Sequence, residues 1–501
     1  MSSNIEDESY DGSAFDDAEF GDAGSDGTGS VGTRDGYAAT RNHGVTLTRD
    51  RARSAAYECI LTVTRDDAYA NLVMPSILRD AGLSGRDAAF ATELAYGTLR
   101  MQGLYDEVIA VASKRAPAEL DVDVRAALWM GTHQVLAMRV PPHAAVSETV
   151  AQVKAQSNVG AAKFANAVMR RVTEREPEAW LDLVAPGTKL PSLGKRYSHP
   201  AWIVDALAAS LQADGRGHEL EDLLSVNNTP ARVTLVARPG LADPYDVADS
   251  IGDADVTELS PYGVALNGGD PGAISGVLDG TVAVQDEGSQ VVATAMVAAQ
   301  DVAEGERWLD MCSGPGGKTA LLGALADEYG ATVDALELHK HRAKLVRQST
   351  RALPHGVVDV HVGDGRTWGA DGSYDRVLLD APCTGLGALR RRPESRWRRS
   401  PGDLAELAEL QSQLLASAVR LVRPGGVIAY VTCSPVLAET REVVDAVLVH
   451  AGLEQVDARD AVAAVTAREP HEWGAGPHVQ MWTHAHGTDA MFLALLRKPR
   501  G

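Results

Sequence analysis

A chain of 501 residues has room for about three domains of ~150 residues each, and its 45% hydrophobic content can fill real cores. No apolar run approaches the ~18 residues of a membrane helix, the N-terminus lacks the basic-then-apolar pattern of a secretory leader, and four scattered cysteines exclude a disulfide framework or a metal knuckle. The net charge of −21 limits any nucleic-acid contact to a local basic patch.

Residues 1–48 are Gly-, Ser- and Asp-rich, with ten acids against Arg34 and Arg41, and read as a disordered acidic tail. Residues 49–180 read as an all-α bundle. In "RSAAYECILTV", Ala56, Cys59, Ile60 and Val63 share one helix face, which makes Cys59 a core residue. "RDAAFATELAYGTLR", "DVRAALWMGTHQVLAM" and "AAVSETVAQVKAQ" are further amphipathic segments between Gly, Pro and Asp punctuation. "VAPGTKLPSLGKRYSHP" looks like a linker. Residues 195–275 mix the helix "AWIVDALAASL" with strand-like "ARVTLVA", a small α+β module. From 276 to 501 strands and helices alternate, and the apolar strands imply a parallel sheet covered on both faces. Such sheets bind ligands past the carboxyl ends of their strands.

The strand "RWLDM" runs into a Gly-rich turn and then a helix start, "CSGPGGKTA". Small residues there admit a ligand to the backbone, and free helix N–H groups favour polar or anionic moieties. A P-loop requires Gly six positions before Lys318, where Cys312 stands, and Pro315 removes an amide from any phosphate cradle. Glu337 ends the second strand, Asp364 ends the third and Asp380 ends the fourth. A lone strand-end acid is commonly a cap. Three in succession suit an adenosine-containing cofactor with an amino group, Glu337 facing the ribose hydroxyls. Cys383 in "LLDAPCTGLG" and Cys433 in "VTCSP" both follow apolar strands, which points to a shared site. "THAHG" lacks partners at ligand spacing, and no metal is expected.

"DMCSGPGGKT", "DAPCTGLGALRRRPESRWRRS" and "VTCSP" together resemble the RNA cytosine-5 methyltransferases that use S-adenosylmethionine. "VQDEGSQ" resembles the segment leading into their catalytic fold, and "HGTDAMFLALLRK" their closing strand. The helical region, with "KFANAVMRRV", resembles a NusB-like RNA-binding domain. That fusion is characteristic of the bacterial small-subunit rRNA methyltransferase family called RsmB, Sun or Fmu.

The resemblance implies a Rossmann-like class I methyltransferase domain behind a NusB-like bundle. Cytosine carbon 5 is a poor nucleophile until a thiolate adds to carbon 6 and enriches it with electrons. By resemblance Cys433 is that nucleophile and Cys383 assists release of the methylated base. The cofactor, S-adenosylmethionine, would lie against Cys312, Ser313, Gly314, Pro315, Gly316, Gly317, Lys318, Glu337, Asp364 and Asp380. Cys312 is read as a packing or backbone-contact residue. Arg390, Arg391, Arg392, Arg396, Arg398 and Arg399 around Trp397 are expected to meet RNA phosphates. The expectations are a cytoplasmic monomer acting on small-subunit rRNA before full ribosome assembly, away from membranes. The alternatives are the same chemistry on tRNA, or an RNA-binding transcription factor in which catalysis is incidental. The paired cysteines, cofactor loop and acids favour the enzyme, since a binding module needs none of them.

Overall fold

The structure, a computed structural model, describes residues 48–500; the acidic tail, apart from Thr48, lies outside them. The described chain divides into two compact units, 48–98 with 112–174 and 99–111 with 175–500. No helix among the described residues is long and apolar enough to cross a membrane.

The first unit is helical. Its helix Arg51–Arg65 begins where the Asp50 carboxylate accepts the Arg53 backbone N–H at 2.9 Å, and Cys59 within it is fully buried. Asn158 caps Val159–Val172 in the same way. Val122–Leu136 is buried almost all round, with Ala126, Leu128, Trp129 and Met130 and the polar Thr132, His133 and Gln134 inside, so it takes the interior position.

In the second unit the supposed linker departs from expectation, because Leu190–Arg196 is a helix. Pro191 sits in its first turn, where a missing N–H costs nothing, and Leu193 is buried. Composition marked a loop; packing of that leucine made a helix. A small antiparallel sheet follows, from β1 (Thr234–Ala237), β2 (Ala254–Val256), β3 (Gly263–Leu266) and β4 (Val282–Val284), in the order β2-β3-β1-β4.

The main sheet holds β5 (Arg307–Asp310), β6 (Thr332–Glu337), β7 (Val358–Val362), β8 (Tyr374–Asp380), β9 (Val422–Thr432), β10 (Glu454–Val456), β11 (Val479–Gln480) and β12 (Phe492–Arg497). Its order is β10-β12-β9-β8-β5-β6-β7, with β11 paired to β12. Strands β5 to β9 pair in parallel, and β12 runs antiparallel to β9. This is a Rossmann-like architecture, a mixed doubly wound sheet in a chain that also carries an N-terminal helical unit.

Side chains alternate between the two faces. Trp308, Leu378, Ala429 and Val431 share one core with Leu321, Leu322 and Val292. Leu309, Val377, Leu379, Ile428 and Tyr430 share the other with Leu414, Leu415 and Val444. Each fully buried Leu or Val contributes about 1.5–3 kcal/mol. Strand β5 has β6 on one side and β8 on the other, so the chain winds outward from it in both directions. The crevice of such a sheet opens at the carboxyl ends flanking that strand.

One buried ion pair ties this sheet to its leading helix, Glu287–Ala298. Arg376 on β8 donates to Glu306 at 2.7 Å, to the Met296 and Val297 carbonyls, and to those of Gln300 and Asp301. Trp308 Nε1 donates to the same Glu306 oxygen at 2.8 Å. Every guanidinium donor is used. Replacing Arg376 by Met leaves Glu306 buried without its cation and the helix carbonyls unpaired. The variant is expected to lose about 3–5 kcal/mol of unfolding free energy in urea titration.

Candidate active site

The loop after β5 is held by its own backbone. Ser313 N and Oγ both donate to the Leu336 carbonyl at the end of β6, at 2.9 and 3.0 Å. Gly314 N donates to Glu337 Oε2 at 3.0 Å, and a Cβ on Gly314 would stand 2.1 Å from that oxygen. Gly316 has φ +107°, and a Cβ there would stand 2.8 Å from Val346 Cα. The loop therefore lies flat against β6 and opens into the helix Gly317–Tyr329, with first-turn N–H groups unspent. Cys312, held protonated by burial, lies against the core lined by Leu309 and Leu336. The Pro315 carbonyl accepts from Ser349 Oγ at 3.1 Å.

The expected acids surround this loop unequally. Glu337 is almost fully buried and accepts from the Gly314 and His339 N–H groups, one on each oxygen, leaving each oxygen a further lone pair. Asp364 is spanned by the Arg366 guanidinium at the rim, and that hydrogen-bonded pairing lowers its pKa. Asp380 meets Lys318 Nζ at 2.8 Å. Burial works against the Lys318 charge, but Asp380 outweighs it and raises the lysine pKa.

Asp310, at the end of β5, escaped the sequence reading. It is buried, accepts from Thr319 Oγ1 at 2.6 Å, and has its Oδ1 without a partner. Burial pushes its pKa up to about 7, and the Asp380 charge adds to that. The signal was present, because Asp310 is a strand-end acid like the other three. It was read as part of the glycine motif.

Asp380 lies opposite Val431 in the parallel ladder of β8 and β9. Cys383 and Cys433 follow those strands and meet with their sulfurs 3.4 Å apart. The Gly387 N–H donates to the Cys433 carbonyl and its own carbonyl accepts from Ala490 N–H, both at 2.9 Å. A Cβ on Gly387 would stand 2.4 Å from the Ala490 carbonyl oxygen, so only glycine passes here. The two thiols divide in character. The contact with Cys433 holds Cys383 protonated, with burial adding to the effect. The same contact lowers the Cys433 pKa against burial and the Asp380 charge, and the charges of Lys318 and Arg392 lower it further.

The arginine run is corrected. Arg396 is fully buried and donates to Asn228 Oδ1 at 2.8 Å and to the Ser198 and Asn227 carbonyls. Arg390 is buried against the Gly487 carbonyl. Arg391 bridges Asp286 at 2.5 Å and Asp489 at 3.1 Å. These three anchor the loop by donating to protein oxygens rather than to phosphates. Arg392 is exposed, and Arg398 and Arg399 are partly so. Burial and Asp286 push the Asp489 pKa up to about 7.

A family profile described as 16S rRNA methyltransferase RsmB/F matches residues 297–497, and the NusB family matches residues 50–174. The chain is 47% identical over 452 residues to Rv1407 of Mycobacterium tuberculosis, provisionally named a methyltransferase, covering 90% of this chain and 97% of that one. It is 31% identical over 428 residues to the ribosomal RNA small subunit methyltransferase B of Pseudomonas putida, covering 84% and 93%. The crystal structure of PH0851 shares its fold, with a TM-score of 0.73 at 24% identity, over 90% of this chain and 99% of that one.

If Lys318 lowers the Cys433 pKa, replacing it by Met moves the pH dependence of Cys433 alkylation. Thiolate alkylation by iodoacetamide rises with pH through the thiol pKa. Losing the ammonium, and leaving Asp380 unpaired beside the sulfur, is expected to displace that rise to higher pH. An unmoved profile, read by peptide mass at Cys433, excludes the lysine's part.

Proposed function

Since the chain belongs to the RsmB/F family of 16S rRNA methyltransferases, we propose that it methylates carbon 5 of a cytosine in small-subunit rRNA, using S-adenosylmethionine and a transient Cys433–carbon 6 bond. The observation that carries this reading is the 3.4 Å approach of Cys383 and Cys433 at adjacent strand ends, beside the Gly-rich loop and Lys318–Asp380.

The residues present fit the cofactor. Gly314 and Gly316 lie where a Cβ would collide, and the unpartnered Asp310 Oδ1 offers a buried acceptor beside the loop. Cys312 to Lys318 would hold its polar end, Glu337 the ribose hydroxyls through its remaining lone pairs, and Asp310, Asp364 and Asp380 its polar edges. When bound, it supplies an electrophilic methyl group.

Every other part of the chemistry is assigned to the chain itself. The Cys433 thiolate adds to carbon 6, breaking the ring conjugation and enriching carbon 5, which receives the methyl. The carbon 5 proton then leaves to a base, the carbon 6–sulfur bond breaks, and the thiolate returns. Cys383, touching Cys433, is placed to assist that release. The Lys318 and Arg392 charges, which favour a thiolate at Cys433, support its role as the nucleophile. RNA would be gathered by the NusB-like residues 49–180 and the α+β module 195–275, with phosphates meeting the exposed Arg392 and the partly exposed Arg398 and Arg399.

A Cys383→Ala protein incubated with unmodified small-subunit rRNA and S-adenosylmethionine is expected to accumulate an RNA-linked species that survives a denaturing gel. Cys433→Ala should form none. In cells, bisulfite sequencing of rRNA should show one cytosine losing its protection when the gene is deleted; a map identical to wild type rejects rRNA as substrate.

A further inference from the structure

Glu439 has no place in the chemistry above, yet it is fully buried at the end of the short turn Leu437–Glu439. An ionised carboxylate out of water costs several kcal/mol unless its partners compensate. Its partners are specific. Thr384 donates to it twice, from its backbone N–H to Oε1 at 2.6 Å and from its hydroxyl to Oε2 at 2.5 Å. With that proton committed, Thr384 Oγ1 is left to accept from the Ser434 hydroxyl, 3.2 Å away. Thr384 follows Cys383 and Ser434 follows Cys433. One carboxylate thus grips the residue after each sulfur through a single chain of hydroxyls.

The grip extends to the residue before Cys383. Gln411 Nε2 donates to the Pro382 carbonyl at 2.7 Å and to Glu439 Oε1 at 3.2 Å. Tyr430 on β9 closes the cluster, its hydroxyl donating to the Glu439 carbonyl at 2.7 Å. Thr384, Gln411, Tyr430 and Ser434 are all 1% exposed or less, so water cannot replace these bonds. The Glu439 charge also adds to what holds Cys383 protonated, after the Cys433 contact and burial.

We infer that Glu439 is a positioning residue that sets the spacing of the two sulfurs through Thr384 and Ser434. The inference rests on the cysteine pair serving one reaction, as proposed above. Glu439 touches neither sulfur. It fixes the two loops that carry them, and a displacement near 1 Å at such a centre costs about 100-fold in rate.

The test uses the full-length protein with Glu439→Gln, Thr384→Val, Thr384→Ser and Cys433→Ala, all compared with wild type. One readout is methyl transfer to unmodified small-subunit rRNA. The other needs no RNA: diamide oxidises the two thiols to a Cys383–Cys433 disulfide and is itself reduced, at a rate set by sulfur proximity. Glu439→Gln and Thr384→Val are expected to lose about 10- to 100-fold in turnover and to cross-link more slowly, with S-adenosylmethionine affinity unchanged. Thr384→Ser keeps the hydroxyl and is expected to restore both. A wild-type value for Thr384→Val in either readout overturns the inference, as does a serine variant no better than valine. If Glu439→Gln does not fold, the Thr384 pair decides alone. An active Cys433→Ala protein instead overturns the underlying cysteine reading, whatever Thr384 does.

Discussion

The parallel hydrogen-bond ladder between β8 and β9 is the constraint on which the rest depends. It sets Asp380 beside Val431, so the chain leaves the sheet twice at the same height. Two loops fifty residues apart in sequence are delivered to one point, and their sulfurs meet there. Neither cysteine could find the other through local structure. The apolar layers on both faces, Leu378 and Val431 on one side and Leu379 and Tyr430 on the other, keep that ladder in register. A slip by one residue would exchange those faces and separate the thiols.

Around that point charge is distributed with a sense. Asp380 disfavours the thiolate at both sulfurs, Glu439 adds to that at Cys383, and Lys318 and Arg392 oppose it at Cys433. Two identical side chains thereby acquire different proton affinities from their neighbours alone. Lys318 is itself kept charged in a buried place by Asp380, so the acid acts on the thiols partly through its cation.

Much of this was legible in the sequence, because short apolar runs and Gly-rich turns are local signals. The strand ends, the loop at residues 312–318 and both cysteines follow from them. Four things did not. Asp310 was hidden inside the motif it serves. The helix Leu190–Arg196 was hidden by Pro and Gly, since Pro191 occupies the one turn that tolerates it. The arginine run was misread because residue type reveals a fork of donors but not who accepts from it. Arg390, Arg391 and Arg396 find their acceptors in carbonyls and carboxylates close to or more than a hundred residues away. Glu439 was silent for the same reason, its role depending on Thr384, 55 residues upstream.

Those three arginines bolt the segment between Cys383 and Trp397 to the body of the protein at Gly487, at Asp286 with Asp489, and at Asn227 with Asn228. A segment fastened at three points is braced against folding over an incoming ring. For the reaction proposed, conformational work falls on the nucleic acid: a cytosine must leave its stack to reach the paired thiols, at a few kcal/mol of lost stacking and pairing. Bases in unpaired or loosely paired stretches lose least, so a rigid pocket selects by RNA secondary structure before any edge of the base is read.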